Sequence, residues 1–203
     1  MNCRYSSYIV PIFTKTLNQE KEFNGTGFIV EDLLITASHV TINQSLLYVV
    51  FEDKEYKLEQ PIYEVFFDID GEKHDLSIFR LHFVYSDLVL EDLPIEDKTE
   101  GYLFGYSFDE KMNTLCVDRG TIRLRSFAYS YRSIKPTKLI NCYSFEPAIG
   151  KKGNSGCPVF GRNGKIYGMH IGSSGFNQHS ISGVLIKASY ITGKINSLKQ
   201  NNE

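Results

Sequence analysis

Apolar residues recur along this chain in short runs of about five, separated by Gly, Asn, Asp and Pro, a rhythm that predicts strands and not helices. The runs place strands at Tyr8–Thr14, Gly27–Val30, Leu33–Thr36, Leu46–Phe51, Ser77–Leu81, Gly101–Tyr106, Leu115–Val117, Ile122–Leu124, Lys138–Phe145, Val159–Phe160, Lys165–Ile171 and Gly183–Ile186. Asn24-Gly25 and Asn163-Gly164 are hairpin-type turns beside two of them. Many short strands without alternating helices predict an all-β sandwich or barrel. One helix is expected, over Lys187–Lys199, although Gly193 weakens it. The polar stretch from Glu91 to Glu100 divides the strand series into halves of similar size. The expected organisation is therefore a first β unit over residues 1–92, a linker over 93–100, a second β unit over 101–186, and a helix with a tail over 187–203.

Composition narrows the class without fixing the chemistry. With 203 residues, 42% of them apolar, the chain can bury a core. Its 22 basic and 24 acidic residues are interspersed and leave a net charge of −2, so nucleic acid is not an expected partner. No apolar run approaches the roughly 18 residues that span a bilayer, and Met1–Tyr8 lacks the apolar core of a signal peptide, so no membrane partner is expected. Cys3, Cys116, Cys142 and Cys157 form no C-x-x-C pair, which argues against a metal site or a redox motif. Reduced, packed thiols and a cytoplasmic location follow, with neither cofactor nor metal expected.

The residues that suggest chemistry lie at strand ends and tight turns. Gly153-Asn154-Ser155-Gly156-Cys157-Pro158 sets a serine between glycines, whose freedom lets successive backbone N–H groups converge on one point where an oxyanion can sit. Upstream, Leu33–Val40 is an apolar run that ends at His39 through small residues, and Asp75 stands at the mouth of another apolar run. A serine hydroxyl is a weak nucleophile at neutral pH. A histidine must take its proton, and a buried carboxylate must hold the imidazole in the right tautomer. Each residue alone has an ordinary structural reading: a turn serine, a packed strand-end histidine, an aspartate turn cap. The order His, Asp, Ser differs from that of α/β-hydrolases and of subtilisins.

Gly25-Thr26-Gly27-Phe28-Ile29-Val30, Thr36-Ala37-Ser38-His39-Val40, Asp75-Leu76-Ser77-Ile78 and Gly153–Pro158 together resemble the signature blocks of chymotrypsin-fold, trypsin-like serine peptidases. The resemblance is to the bacterial branch with glutamyl endopeptidases and Deg/HtrA proteases, and it runs from about Gly25 to the C-terminus. It implies two perpendicular six-stranded β-barrels with the active site between them. It also implies roles: His39 as general base, Asp75 as its orienting carboxylate, Ser155 as nucleophile, and the N–H groups of Gly153 and Ser155 as oxyanion hole. Asn154 stands where zymogen-type relatives carry an aspartate, so activation by a freed N-terminal ammonium is not expected. Cys157 replaces the second glycine of the usual pattern and is expected to pack as a small hydrophobe. The stretch after Ile186 is too short for a PDZ domain of the Deg/HtrA type.

The G-x-H-x-G pattern in Gly168–Gly172 resembles the specificity-pocket strand of glutamyl endopeptidases and of viral chymotrypsin-like cysteine proteases. The resemblance makes His170, Ile149, Gly150, Gly172 and Ser173 the candidate S1 residues. His170 is expected to hydrogen-bond a P1 Glu or Gln, donating to a Gln amide oxygen when neutral. The competing reading of His170 is a buried histidine satisfied by a backbone carbonyl. Ile149 carries no charge for a basic P1, and Gly150 lacks the hydroxyl that Glu- and Gln-specific relatives often place there, which leaves an apolar P1 open. The expected function is a regulated intracellular serine endopeptidase of stress or defence, with peptide or protein substrates, restrained by narrow specificity or by a partner protein. The alternatives are a latched or inactive protease-fold module that binds peptides, and a viral polyprotein-processing enzyme.

Overall fold

The first half of the chain turns its strand rhythm into one antiparallel sheet. A 3-10 turn at Cys3–Tyr8 leads into β1 (Ile9–Lys15), β2 (Lys21–Val30), β3 (Leu33–Thr36), β4 (Leu47–Phe51), β5 (Lys54–Lys57), β6 (Tyr63–Ile69) and β7 (Glu72–Arg80), ordered β5-β4-β1-β2-β3-β7-β6. A computed structural model describes residues 3–15, 20–44, 46–69, 72–107, 114–124, 127–128, 137–147, 151–176 and 179–200. Both faces of β2 and β3 are buried: the consecutive residues Phe28 and Ile29, and Leu34 and Ile35, are all at 0% exposure. Burial on this scale, at about 25 cal/mol per Å², is what holds such a sheet against its chain entropy.

This sheet corrects the expectation of two closed barrels. It has seven strands, and among the described residues no ladder joins its edges, β5 and β6. The physical reason is the edge itself. β5 is four residues long, with Lys54, Glu55 and Lys57 exposed, and Glu55 is paired to Lys15 at 2.9 Å and to Lys21. Charged, short edge strands resist further pairing. β6 breaks the period-two pattern, with Phe66 49% and Phe67 45% exposed, which is why the sequence rhythm passes over it.

The second half does close. β8 (Thr99–Ser107), β9 (Thr114–Arg123), β10 (Phe127–Ala128), β11 (Thr137–Lys138), β12 (Cys142–Glu146), β13 (Pro158–Phe160), β14 (Ile166–Phe176) and β15 (His179–Lys187) follow in the chain. Six of them form a barrel in the order β12-β15-β14-β13-β8-β9. β9 is one strand where the sequence suggests two. Leu103, Ile122, Phe145, Val159 and Leu185 fill the barrel at 0% exposure.

A second core joins β1, β2, β3 and β7 to residues of β13, β14 and β15 and to the C-terminal helix α2 (Ala188–Gln200). Ala188, Ile191 and Ile195 are the buried residues of α2, at the i, i+3, i+7 spacing of one helical face. Polar contacts also bind the halves. Asn141 accepts from the backbone N–H of Lys73 at 3.0 Å and donates to its carbonyl at 2.6 Å. His74 Nδ1 and the hydroxyl of Tyr190 on α2 are 2.5 Å apart. Among the described residues no helix is long and apolar enough to cross a membrane.

Candidate active site

β3 ends at Thr36, where the Thr36 hydroxyl donates to the carbonyl of Thr26 at 2.7 Å, and the chain turns into a single helical turn, α1 (Ser38–Thr41). His39 therefore stands on a helical turn instead of at the end of a strand. Hydroxyls of its flanking residues anchor the turn from below. Ser38 Oγ lies 2.8 Å from Ser77 Oγ, while the hydroxyls of Thr41 and Ser77 each donate to Glu64 Oε1 at 2.9 Å. Three hydroxyl protons and one carboxylate oxygen form a consistent set: Ser38 donates to Ser77, and Ser77 and Thr41 donate to Glu64.

Asp75 lies on β7, opposite Phe66 of β6, with its side chain 2% exposed. Its Oδ1 accepts the His39 backbone N–H at 3.0 Å, and its Oδ2 accepts His39 Nδ1–H at 2.7 Å. Because a carboxylate only accepts, Nδ1 carries the proton, and the neutral ring keeps its lone pair on Nε2. The imidazole is about one-third exposed, with the ring of Phe66 6.3 Å away.

The Ser155 turn belongs to the second half but is held by the first. The Thr26 N–H donates to the Ser155 carbonyl at 2.9 Å, and the Thr26 hydroxyl donates to the Gly153 carbonyl at 3.0 Å. Gly153 and Gly156 adopt positive φ, +100° and +85°. A Cβ on Gly156 would meet the Thr26 carbonyl oxygen at 1.9 Å, so no other residue fits there. Asn154 is fully buried. Its Oδ1 accepts the Lys151 N–H at 3.0 Å and its amide donates to the Tyr106 carbonyl at 3.4 Å. The Asn154 carbonyl accepts from Cys157 N–H and His170 Nδ1, both at 3.1 Å. In a trans peptide this sends the Ser155 N–H the opposite way. Among the described residues no hydrogen bond joins Ser155 Oγ to His39.

His170, on β14, is 2% exposed and packs behind that turn, donating its backbone N–H to the Cys157 carbonyl at 2.8 Å. Its Nδ1–H is spent on Asn154, so in the neutral ring Nε2 is an acceptor. Nε2 has no partner among the described residues. Burial pushes the imidazole down to about 4, and the nearby His39 adds to that effect.

Of the other candidate pocket residues, Gly172 and Ser173 lie on β14 opposite Val184 and Gly183 of β15. Ile149 and Gly150 lie outside the described residues. Gly183 was not legible in the sequence: a Cβ there would lie 3.3 Å from His170 Nε2, so this glycine lets the strand pack closely against the imidazole. Lys151 is 3.6 Å from Asp118. Among the described residues no three metal-binding side chains gather.

No protein-family model matches the sequence, and no curated protein is significantly similar to it. Solved structures do match. The active form of the Rv3671c protease from M. tuberculosis is 20% identical, with a TM-score of 0.72 over 96% of this chain and 82% of that one. The HtrA-type protease AlgW, solved with a decapeptide, is 17% identical, with a TM-score of 0.71 over 97% of this chain and 66% of that one. The MamO protease domain from Magnetospirillum magneticum is 15% identical, with a TM-score of 0.69 over 96% of this chain and 98% of that one. The open sheet, the closed barrel and the terminal helix thus make up the fold of these solved proteases.

Proposed function

We propose that the chain is a serine endopeptidase with His39, Asp75 and Ser155 as its triad. The observation that carries this reading is the double grip of Asp75 on His39, which leaves the Nε2 lone pair on a one-third-exposed ring in a fold that also holds a serine turn built on two positive-φ glycines. In the reaction, Ser155 Oγ attacks the scissile carbonyl while His39 Nε2 takes its proton. The carbonyl electron pair moves onto oxygen, where the N–H groups of Gly153 and Ser155 receive it. His39 then protonates the departing amine, and water, deprotonated in the same way, releases the acyl group. No metal or cofactor enters these steps. The unmade Ser155–His39 hydrogen bond is compatible with this, since such bonds often tighten only around bound substrate.

The substrates are peptides or proteins, and the relative in fold solved with a decapeptide supports that class. The S1 subsite comprises His170, Gly172 and Ser173 with Ile149 and Gly150, and selects Glu or Gln at P1. The chain works in the cytoplasm, restrained by a partner protein, as a stress or defence protease; four scattered cysteines without a paired spacing motivate the reducing compartment.

A P1-diverse peptide library cut by the wild type and by Ser155→Ala, read by mass spectrometry, tests the reading. Cuts that vanish in the variant support it. A folded wild type that cuts nothing and whose Ser155 resists a fluorophosphonate is instead the latched or inactive peptide-binding module.

A further inference from the structure

Asn154 joins two turns. Its backbone N–H donates to the Lys151 carbonyl at 3.1 Å and closes a turn over Lys152 and Gly153, while its carbonyl accepts the Cys157 N–H at 3.1 Å and closes a second over Ser155 and Gly156. Each turn has a positive-φ glycine at its third position, Gly153 at +100° and Gly156 at +85°, which is the type II pattern. Turn type decides where the Gly153 N–H points, because types I and II differ by a half-rotation of the peptide that carries it. Among the described residues neither this N–H nor that of Ser155 has an acceptor. Two such donors suit a developing oxyanion.

The Asn154 side chain, at 0% exposure, holds the first turn in that form. Its Oδ1 accepts the Lys151 N–H at 3.0 Å, so Lys151 and Asn154 are bonded twice across the turn. Its amide donates to the Tyr106 carbonyl of β8 at 3.4 Å. Tyr106 is itself a fixed point, since its N–H donates at 3.0 Å to the Thr26 hydroxyl, which donates in turn to the Gly153 carbonyl. This buried position calls for one acceptor, one donor and no charge, and a carboxamide supplies all three.

We propose that Asn154 is a positioning residue for the oxyanion hole: its uncharged side chain fastens the serine turns to β8 and keeps the Lys152–Gly153 peptide in the type II form, so the resting chain is competent without an activating cut or an activating partner. This rests on the serine-peptidase reading and adds how that site is kept ready; a partner then acts only to restrain it.

The test compares wild type, Asn154→Asp and Asn154→Ala on one cleaved peptide from about pH 8 down to about pH 6, with circular dichroism giving the folded fraction at each pH. An ionised carboxylate has no proton for the Tyr106 carbonyl, whereas a protonated one accepts from Lys151 and donates to Tyr106 as the amide does. Burial raises the pKa of such a carboxyl towards this range. At pH 8 the Asp variant is expected to show a kcat about a hundredfold below wild type at unchanged KM, the effect of losing an oxyanion donor. Its ratio to wild type, which cancels the titration of His39, should climb as the pH falls. Asn154→Ala buries no charge and should show the loss at every pH, so it carries the test if the Asp variant does not fold. A flat ratio in a folded Asp variant overturns the proposal, as does a folded Ala variant with wild-type kcat or a loss that the folded fraction alone explains. A wild type whose Ser155 takes a fluorophosphonate but which cuts no peptide of a P1-diverse library also overturns it, while leaving the nucleophile assignment standing. Failure of both cleavage and labelling removes the peptidase reading and the proposal together.

Discussion

Asp75 holds His39 at two atoms with two oxygens, Oδ1 on the backbone N–H at 3.0 Å and Oδ2 on Nδ1–H at 2.7 Å. Asp75→Asn keeps the shape but replaces one acceptor with a donor. If the amide faces the ring, the proton moves to Nε2 and the base is lost. The expected fall in kcat is about four orders of magnitude with the fold intact. Peptide-cleavage kinetics together with circular dichroism measure it.

Glu64 caps the hydroxyl set under α1. Glu64→Ala leaves Ser77 and Thr41 to find other acceptors beneath the turn that carries His39. We expect a loss of about 1 kcal/mol, consistent with a partly exposed hydrogen-bonding group. It should be accompanied by a lower kcat at unchanged KM. Urea unfolding and steady-state kinetics on one preparation separate the two effects.

His170 makes folding pH-dependent. Its imidazole sits near 4 in the folded protein against an ordinary value of 6.5. Between those values the unfolded chain binds more protons, so stability falls as pH drops from 6.5 to 4 and then levels off for this group. The total is at most about 3.5 kcal/mol at roughly 1.4 kcal/mol per pKa unit. Urea midpoints from pH 7 to 4 should fall more steeply in wild type than in His170→Leu, which has no titratable group at this position. Parallel slopes would contradict the assignment.

Gly193 lies within α2, where a Cβ would meet nothing within 4 Å. Gly193→Ala therefore gains helix propensity at no steric cost, and about 1 kcal/mol of added stability is expected. A thermal melt detects it as an upward shift of several degrees.

Cys157 is fully buried, and a Cβ added to Gly105 would stand 1.7 Å from its sulfur, so the thiol occupies the space that Gly105 lacks a side chain to fill. Maleimide should leave Cys157 unmodified in the native protein and label it after denaturation. Peptide mapping by mass spectrometry checks this. Gly105→Ala in the presence of Cys157 should fail to fold, and Cys157→Gly in the same chain should relieve the clash.

The sequence carries most of the strand pattern because local rhythm produces it: Leu33–Thr36 is read from its own residues and matches β3 residue for residue. His39, Asp75 and Ser155 stand out because small residues and glycines flank them. What escapes is what depends on distant pairing. Whether the first sheet closes depends on β5 and β6, whose apolar content is broken by charge or exposed. Glu64 and Gly183 have no motif and acquire meaning only from Ser77 and His170 across a strand gap. The direction of the His170 hydrogen bond is set by a single carbonyl, that of Asn154, and no composition or spacing encodes where a carbonyl points.

Thr26, in the second strand to be made, supplies both hydrogen bonds that hold the carbonyls of Gly153 and Ser155. Synthesis from the N-terminus therefore lays down the receiving groups first and the serine turn last. A chain still on the ribosome before β14 carries His39 and Asp75 but lacks His170 to brace the turn behind Ser155.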